Sequence, residues 1–273
     1  MPQSEVFLKG FHSPSHSTNT VLLNQFITEY AIGNHDSVTA AAGILTYVPR
    51  LSGKLPLMSY WAFSDVFEEH GIEAVPFHNE WGLVNIYGNP KPAFRAFELL
   101  HEAGDLAAPV SLVGSASGAA SKGLYASKMM DAENQTSITV FVTIEENTMK
   151  TAQQVKAFVT AYNKSDDCGN DLQPMAVLAT VKFCGVGGLG SSAALPKVAR
   201  LRRIDNAHGN TRGYWATNLS STVYPTDAEI AQMEEASMLE DEIVALTADA
   251  ACVVAAFEMP AVAVAVVDFE LSL

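Results

Sequence analysis

A chain of 273 residues can hold one large domain or two of ordinary size, and two is the expectation. With 48% hydrophobic and 17% charged residues and no long polar low-complexity run, it reads as globular rather than disordered. Thirty acidic against sixteen basic residues leave a formal net charge of −14, which repels a phosphate backbone or an anionic membrane surface, so no nucleic acid and no membrane is expected as a partner.

The N-terminal run MPQSEVFLKGFHSPSHS has no apolar core behind a basic start and does not read as a signal peptide, so the sequence names no compartment. Gln25 to Tyr30 reads as a buried strand. Ser37 to Leu51 follows as a helix that Ser37 could cap, with Ala41, Leu45 and Val48 on one face. Leu55 to Phe63 is a second strand. Pro92 to Ala103 opens with proline at a helix start, sets Ala93, Phe97 and Leu100 on one stripe, and stops at Gly104. This β-α-β-α alternation predicts units of a parallel sheet.

After Gly104 the texture becomes a Gly/Ser/Ala linker and then β-like runs at Ser137 to Ile144, Gln154 to Tyr162, Ala176 to Phe183 and Val198 to Ile204, which read as a β-sandwich. One helix interrupts them, announced by a capping box of Thr226 and Glu229 ahead of Ile230, Met233 and Ala236. The Val/Ala-rich last thirty residues read as closing strands. Their most apolar stretch, Met259 to Val267, is too short to span a bilayer. Cys168, Cys184 and Cys252 form no CxxC pair and have no histidine at metal-ligand spacing, so buried or free thiols are expected, with no metal and no cofactor. Three sequons stand at Asn134, Asn163 and Asn218; they matter only in a secreted protein.

Several segments carry a resemblance. SYWAFSDVFEEHG (Ser59 to Gly71) and PFHNEWGLVNIYGNPKPAFRAFELLHEAG (Pro76 to Gly104) are similar to the end of the catalytic barrel in family 39 glycoside hydrolases, which contain β-xylosidases and α-L-iduronidases. Upstream, ITEY (Ile27 to Tyr30) resembles the strand-seven motif bearing the nucleophilic glutamate. Downstream, LRRIDNAHGNTRGYW (Leu201 to Trp215) and YPTDAEIAQMEEAS (Tyr224 to Ser237) look like the accessory β-domain that follows the barrel. Together they cover most of the chain, whereas about residues 105 to 197 match only in general character.

The resemblance implies an α/β plus β architecture: residues 1–104 as the C-terminal βα units, strands seven and eight, of a (β/α)₈ TIM barrel, and residues 105–273 as a β-sandwich accessory domain. It implies retaining hydrolysis of O-glycosyl bonds in saccharides or xylosides by two carboxyl groups about 5 to 5.5 Å apart. Glu29 matches the nucleophile. Trp61 matches a tryptophan lining the sugar subsite; Glu68 and Glu69 match a paired acidic step that accepts sugar hydroxyls. His78 and Trp81 fall in a substrate-contacting region, altered here to FHNEWGL. The family's acid/base glutamate follows asparagine, usually as Asn-Glu-Pro on strand four, and no such segment precedes Glu29. Asn79-Glu80, the only Asn-Glu pair, comes after the nucleophile and does not match. The loop from Glu29 to His35-Asp36 is shorter than the family's usual insertion, and Lys91 and Arg95 are expected on the outer helix.

A chain with the nucleophile but no acid is expected to have lost activity on its own, so a non-catalytic carbohydrate-binding or interaction module is the alternative. An open strand-seven edge predicts self-association. GLGSSAA (Gly188 to Ala194) resembles the phosphate loop of small-metabolite kinases, but Pro196 follows where that loop would open a long helix, so it reads as a flexible loop.

Overall fold

The computed structural model describes residues 22–24, 35–51, 57–66, 71–104, 106–107, 110, 125–127, 137–144, 154–162, 177–184, 195–219, 222–260 and 263–270. It begins with β1 (Leu22–Asn24), α1 (Val38–Leu51), β2 (Leu57–Ser59) and α2 (Pro92–His101). β1 and β2 pair in parallel, with Leu22 beside Leu57 and Asn24 beside Ser59. Parallel neighbours need a crossover, and α1 supplies it. The strand predicted at Gln25 to Tyr30 lies outside the described residues. The one predicted through Phe63 stops at Ser59, because the chain beyond it bonds to a later segment: Ala62 N–H donates to the Trp81 carbonyl at 2.9 Å and Leu83 N–H to that of Ala62 at 3.0 Å.

Both helices form where the sequence places them. Ser37 Oγ accepts Thr39 N–H at 3.2 Å ahead of α1, and Pro92 occupies the first turn of α2, where a missing N–H costs nothing. Ala40, Ala41, Ile44 and Leu45 of α1 pack with Ala93, Ala96 and Leu99 of α2.

The rest is mainly antiparallel. β3 (Leu106–Ala107), β4 (Tyr125–Ser127), β5 (Ser137–Ile144), β6 (Gln154–Tyr162), β7 (Val177–Phe183) and β8 (Val198–Ile204) precede α3 (Thr211–Tyr214), which runs on as a π-helix over Trp215–Leu219. α4 (Asp227–Ser237) then leads to β9 (Glu242–Asp249), β10 (Cys252–Met259) and β11 (Ala263–Glu270). The strands lie in the order β3-β5-β6-β11-β8-β9-β10-β7, with β4 also on β5. The predicted capping box of α4 is present in both directions: Glu229 N–H donates to Thr226 Oγ1, and Thr226 N–H to Glu229 Oε2 at 2.7 Å. The Gly188 to Ala194 loop lies outside the described residues, as do Cys168, Asn134 and Asn163.

β11 organises the core because both its faces are buried. Ala263, Ala265, Val267 and Phe269 face one cluster with Val155, Ala157 and Val159 of β6 and Ala255 and Phe257 of β10. Val264 and Val266 face the other, with Phe158 of β6, Ile204 of β8 and the apolar sides of α1 and α2. A strand covered on both sides reads as a continuous apolar run, which is why β11 lies in the run AVAVAVV. At the edge of this second cluster Glu102, just past α2, meets Arg202 at 2.5 Å; Arg202 meets Asp268 at 3.2 Å, and Asp268 meets Lys156 at 2.9 Å. Burial pushes the Glu102 carboxyl up, but the Arg202 hydrogen bond and charge prevail and hold it below the usual range.

The cysteines correct the sequence reading. Cys184 and Cys252 form a disulfide, not free thiols, because Cys184 directly follows β7 and Cys252 opens β10, in a pair whose register sets Phe183 opposite Val253. Pairing 68 residues apart in sequence gave no signal in the spacing. Replacing both cysteines by serine is expected to lower stability by about 2–4 kcal/mol, read as a shift in the urea midpoint under non-reducing conditions.

Candidate active site

Of the predicted site residues, Trp61, His78 and Trp81 are described, and all three lie between β2 and α2. Trp61 comes two residues after β2, half-buried, and Trp81 is half-buried across from it through the Ala62 to Trp81 hydrogen bond. The Trp61–Ala62 peptide is cis. Trp81 also meets the His35 ring edge-on, with centroids 6.1 Å apart. His78 stands one residue before Asn79, which adopts φ 69°, a left-handed conformation that asparagine tolerates better than most side chains. The structure therefore brings Trp61, His78 and Trp81 into one neighbourhood. Glu29, Glu68 and Glu69 lie outside the described residues.

The residues beneath this surface were not singled out as functional in the sequence. Lys91 Nζ lies 2.5 Å from Asp36 Oδ1, 2.6 Å from Asp65 Oδ2 and 2.7 Å from Asp65 Oδ1, and donates to the Glu80 carbonyl at 2.9 Å. An ammonium has three donors, and three acceptor groups surround this one. Both the Lys91 and Asp65 side chains have zero solvent exposure and that of Asp36 has 3%. The expectation that Lys91 lies on an outer helix face is therefore wrong. It sits at the N-cap of α2 with its side chain turned inward, where a cation would oppose the positive end of the helix dipole; two carboxylates make the cluster net negative and remove that conflict. Arg95 is also buried, reaching Ser237 Oγ of α4 at 2.7 Å rather than solvent.

Each carboxylate grips backbone as well as Lys91. Asp36 Oδ2 accepts Asn79 N–H at 2.6 Å, and Asp65 Oδ1 accepts Gly82 N–H at 2.7 Å. Gly82 allows this approach: a Cβ there would stand 2.3 Å from Asp65 N. His35 completes the hold, its N–H donating to Asn79 Oδ1 at 2.8 Å and its Nδ1–H to the Asn79 carbonyl at 3.0 Å. His78 Nδ1–H likewise donates to the Val75 carbonyl at 3.0 Å. With each Nδ1 donating to a carbonyl, the Nε2 of both rings is buried with no hydrogen-bond partner. Burial holds the His35 pKa below the usual histidine value, partly opposed by Asn79 and Asp36. Burial also pushes the Asp65 carboxyl up to about 6 against the pull of Lys91, and raises the Tyr60 phenol, to which Asp65 and Asp36 add.

A second set of contacts holds the following turn. Asn85 Oδ1 accepts the N–H groups of Tyr87 and Asn89, and Asn89 Nδ2 donates to the Ile230 carbonyl of α4 at 2.9 Å. Phe77 packs on Trp215 with centroids 5.7 Å apart. Among the described residues no group of three His, Cys, Asp or Glu stands together to hold a metal ion, and no helix is long and apolar enough to cross a membrane.

Comparison with known proteins places these features in context. The family model described as "Glycosyl hydrolases family 39" matches residues 22–251. A β-xylosidase of Caldicellulosiruptor saccharolyticus is 46% identical over 67 residues, covering 24% of this chain and 14% of that protein. A β-xylosidase of Geobacillus stearothermophilus is 36% identical over 96 residues, covering 34% of this chain and 18% of its own length. Among solved structures, a monomeric β-xylosidase of Caulobacter crescentus superposes with a TM-score of 0.55 at 19% identity, over 86% of this chain and 42% of that one. A bacterial orthologue of human α-L-iduronidase gives 0.54 at 13% identity, over 92% and 41%. The matched part is thus less than half the length of each relative.

Two outcomes test the buried cluster. Lys91→Met leaves two carboxylates buried without their cation and is expected to cost about 3–5 kcal/mol, seen in urea unfolding or as failure to fold. Asp65 binds its proton more tightly folded, at about 6 against 3.8 for a free aspartate, so its ionisation opposes folding. That penalty is fully present above about pH 6 and vanishes as pH falls toward 4. Relative to Asp65→Asn, the wild type is expected to gain up to about 3 kcal/mol across that fall, measured as the difference between their unfolding free energies.

Proposed function

This chain belongs to the glycosyl hydrolases of family 39, and we propose that it carries the nucleophile half of a retaining β-xylosidase-type site. In this reading residues 1–104 are the last two βα units of a (β/α)₈ barrel and residues 105–273 a β-sandwich accessory domain. The observation that carries it is the parallel β1–β2 pair: Trp61 follows the C-terminal end of β2, and Glu29 lies on the chain leaving the C-terminal end of β1. Active sites of barrel enzymes are built at those strand ends.

Glu29 attacks the anomeric carbon as the bond to the leaving-group oxygen breaks, which forms the glycosyl ester and releases that oxygen as an anion unless a general acid protonates it. The Trp61 and Trp81 rings offer flat apolar surface to a pyranose, while Glu68 and Glu69 accept hydrogen bonds from its hydroxyls. A neutral glycoside suits a site whose nearest buried charges, in the Lys91 cluster, are sealed from solvent. In this reading the second carboxyl is not supplied by these residues: no Asn-Glu pair precedes Glu29 in the sequence, and Asn79-Glu80, the one such pair, belongs to the clamped segment. General-acid help, typically about 10² to 10⁴ in rate, therefore has to come from another polypeptide segment, and the outer edges of the β1–β2 pair are where such a segment or a second copy would add. The same lack favours the alternative of saccharide binding without turnover.

An activated leaving group separates the two halves of the chemistry, since dinitrophenolate departs without protonation. With 2,4-dinitrophenyl 2-deoxy-2-fluoro-β-xyloside, intact-mass analysis is expected to find one fluoroxylosyl ester, localised to Glu29 and absent from Glu29→Ala, while p-nitrophenyl β-xyloside turns over at least about 10²-fold more slowly than with a complete site. Xylobiose binding with no adduct would establish the binding module instead. A folded chain that neither binds xylobiose nor forms the adduct would end the xyloside reading.

A further inference from the structure

The proposed sugar-facing surface is held from below by charges that no step of the chemistry uses. Between Asn79 and Gly82 five backbone groups are pinned. Asn79 N–H is held by Asp36, the Asn79 carbonyl by His35, the Glu80 carbonyl by Lys91, the Trp81 carbonyl by Ala62 N–H, and Gly82 N–H by Asp65. Three of the five depend directly on the Lys91 cluster, and a fourth, from Ala62, joins the Trp81 backbone to the residue next to Trp61. So much anchoring over four residues exceeds what a surface loop needs to stay folded. It is what an aromatic ring needs to keep one position, because a stacking face is useful only where its plane stays fixed.

We propose that Lys91 is a positioning residue for the saccharide face, which with Asp36 and Asp65 locks the Asn79–Gly82 backbone, and that the charge on Asp65 sets how tightly this face grips its ligand. The proposal rests on the saccharide reading above and adds a mode of regulation to it. The groups facing Asp65 are Lys91 at the start of α2, Asp36 with His35 ahead of α1, Tyr60 just past β2, and the Glu80 and Gly82 backbone. With Asp65 ionised, one ammonium is shared by two carboxylates and the cluster carries one net negative charge. A proton on Asp65 leaves Lys91 and Asp36 as a balanced pair. The fold loses nothing by this, since burial disfavours the extra charge. The clamp does lose: the bond from Gly82 N–H to Asp65 becomes a neutral one of roughly half the strength, the bond from Lys91 keeps only its donor's charge, and the Trp81 segment gains freedom. Stability and ligand grip therefore move in opposite directions as pH falls through about 6, a combination that a merely structural cluster would not give.

The test compares wild type with Asp65→Asn, which is isosteric, cannot titrate and preserves the Lys91–Asp36 pair. Xylobiose affinity is followed by tryptophan fluorescence, and amide exchange of residues 79–82 is measured without ligand and corrected for intrinsic rate. Wild-type affinity is expected to fall roughly tenfold from pH 7 to pH 5 with a parallel loss of protection, the scale of one charge-assisted hydrogen bond. Asp65→Asn is expected to fold, to bind at the weaker level at both pH values, and to show a flat profile. A variant with the wild-type affinity and profile, or wild-type protection that does not change between the two pH values, overturns the proposal. If wild type binds no xylobiose at any pH, the saccharide reading fails by itself, and the ligand-free exchange decides whether the clamp exists. That wild-type exchange measurement also stands if the variant does not fold.

Discussion

An ammonium sealed from water costs several kcal/mol unless anions stand beside it, and Lys91 meets that condition only when three separate stretches of chain come together. Asp36 arrives from ahead of α1, Asp65 from beyond β2, and the Glu80 carbonyl from the segment leading into α2. None of these groups is tolerable alone in the interior. Each is satisfied by the others, so the approach of the two helix starts, the path of the chain after Ser59 and the shape of the Asn79–Gly82 segment are fixed as one event. The residues proposed to face the saccharide inherit their positions from it.

The antiparallel sheet gives this arrangement a floor. β11 is buried on both faces, and its helix-facing side, with β6 and β8, receives the apolar stripes of α1 and α2. Packing alone would let the helices shift along a face made only of apolar side chains, Phe158, Ile204, Val264 and Val266. The chain of ion pairs from Glu102 through Arg202 and Asp268 to Lys156 supplies direction, since hydrogen-bonded charges have fixed partners where methyl groups do not. Asn89 and Arg95 make the same kind of link to α4. The helical units are thereby held against the sheet at several points around the proposed site.

In the proposed reading, the chain joins a well-anchored binding surface to an incomplete set of reacting groups. A retaining glycosidase needs two carboxyls of opposite role, and the environments that separate their roles are usually distant in sequence. In that reading one carboxylate and its aromatic partners can persist in a compact stretch, because Glu29 and Trp61 follow two paired parallel strands in the sequence. Positioning and binding can then outlast turnover, as the dense hydrogen bonding of Asn79–Gly82 would allow.

Local signals were enough for the sequence to set the helices α1 and α2, the capping box of α4 and most long strands, since periodicity, a proline at a helix start and a Thr-x-x-Glu step act within a few residues. Family membership was legible for a similar reason, in short contiguous motifs. The Cys184–Cys252 bond, the early end of β2 and the inward turn of Lys91 were decided only by tertiary structure. Each depends on partners brought close by folding: a cross-strand register, a backbone at Trp81 that competes for Ala62, and two aspartates 55 and 26 positions before the lysine they neutralise. A lysine between two prolines at a helix N-terminus, where its charge is unfavourable, was the one available hint. Read alone it suggested an exposed side chain, because a sequence displays a charge without displaying what will surround it.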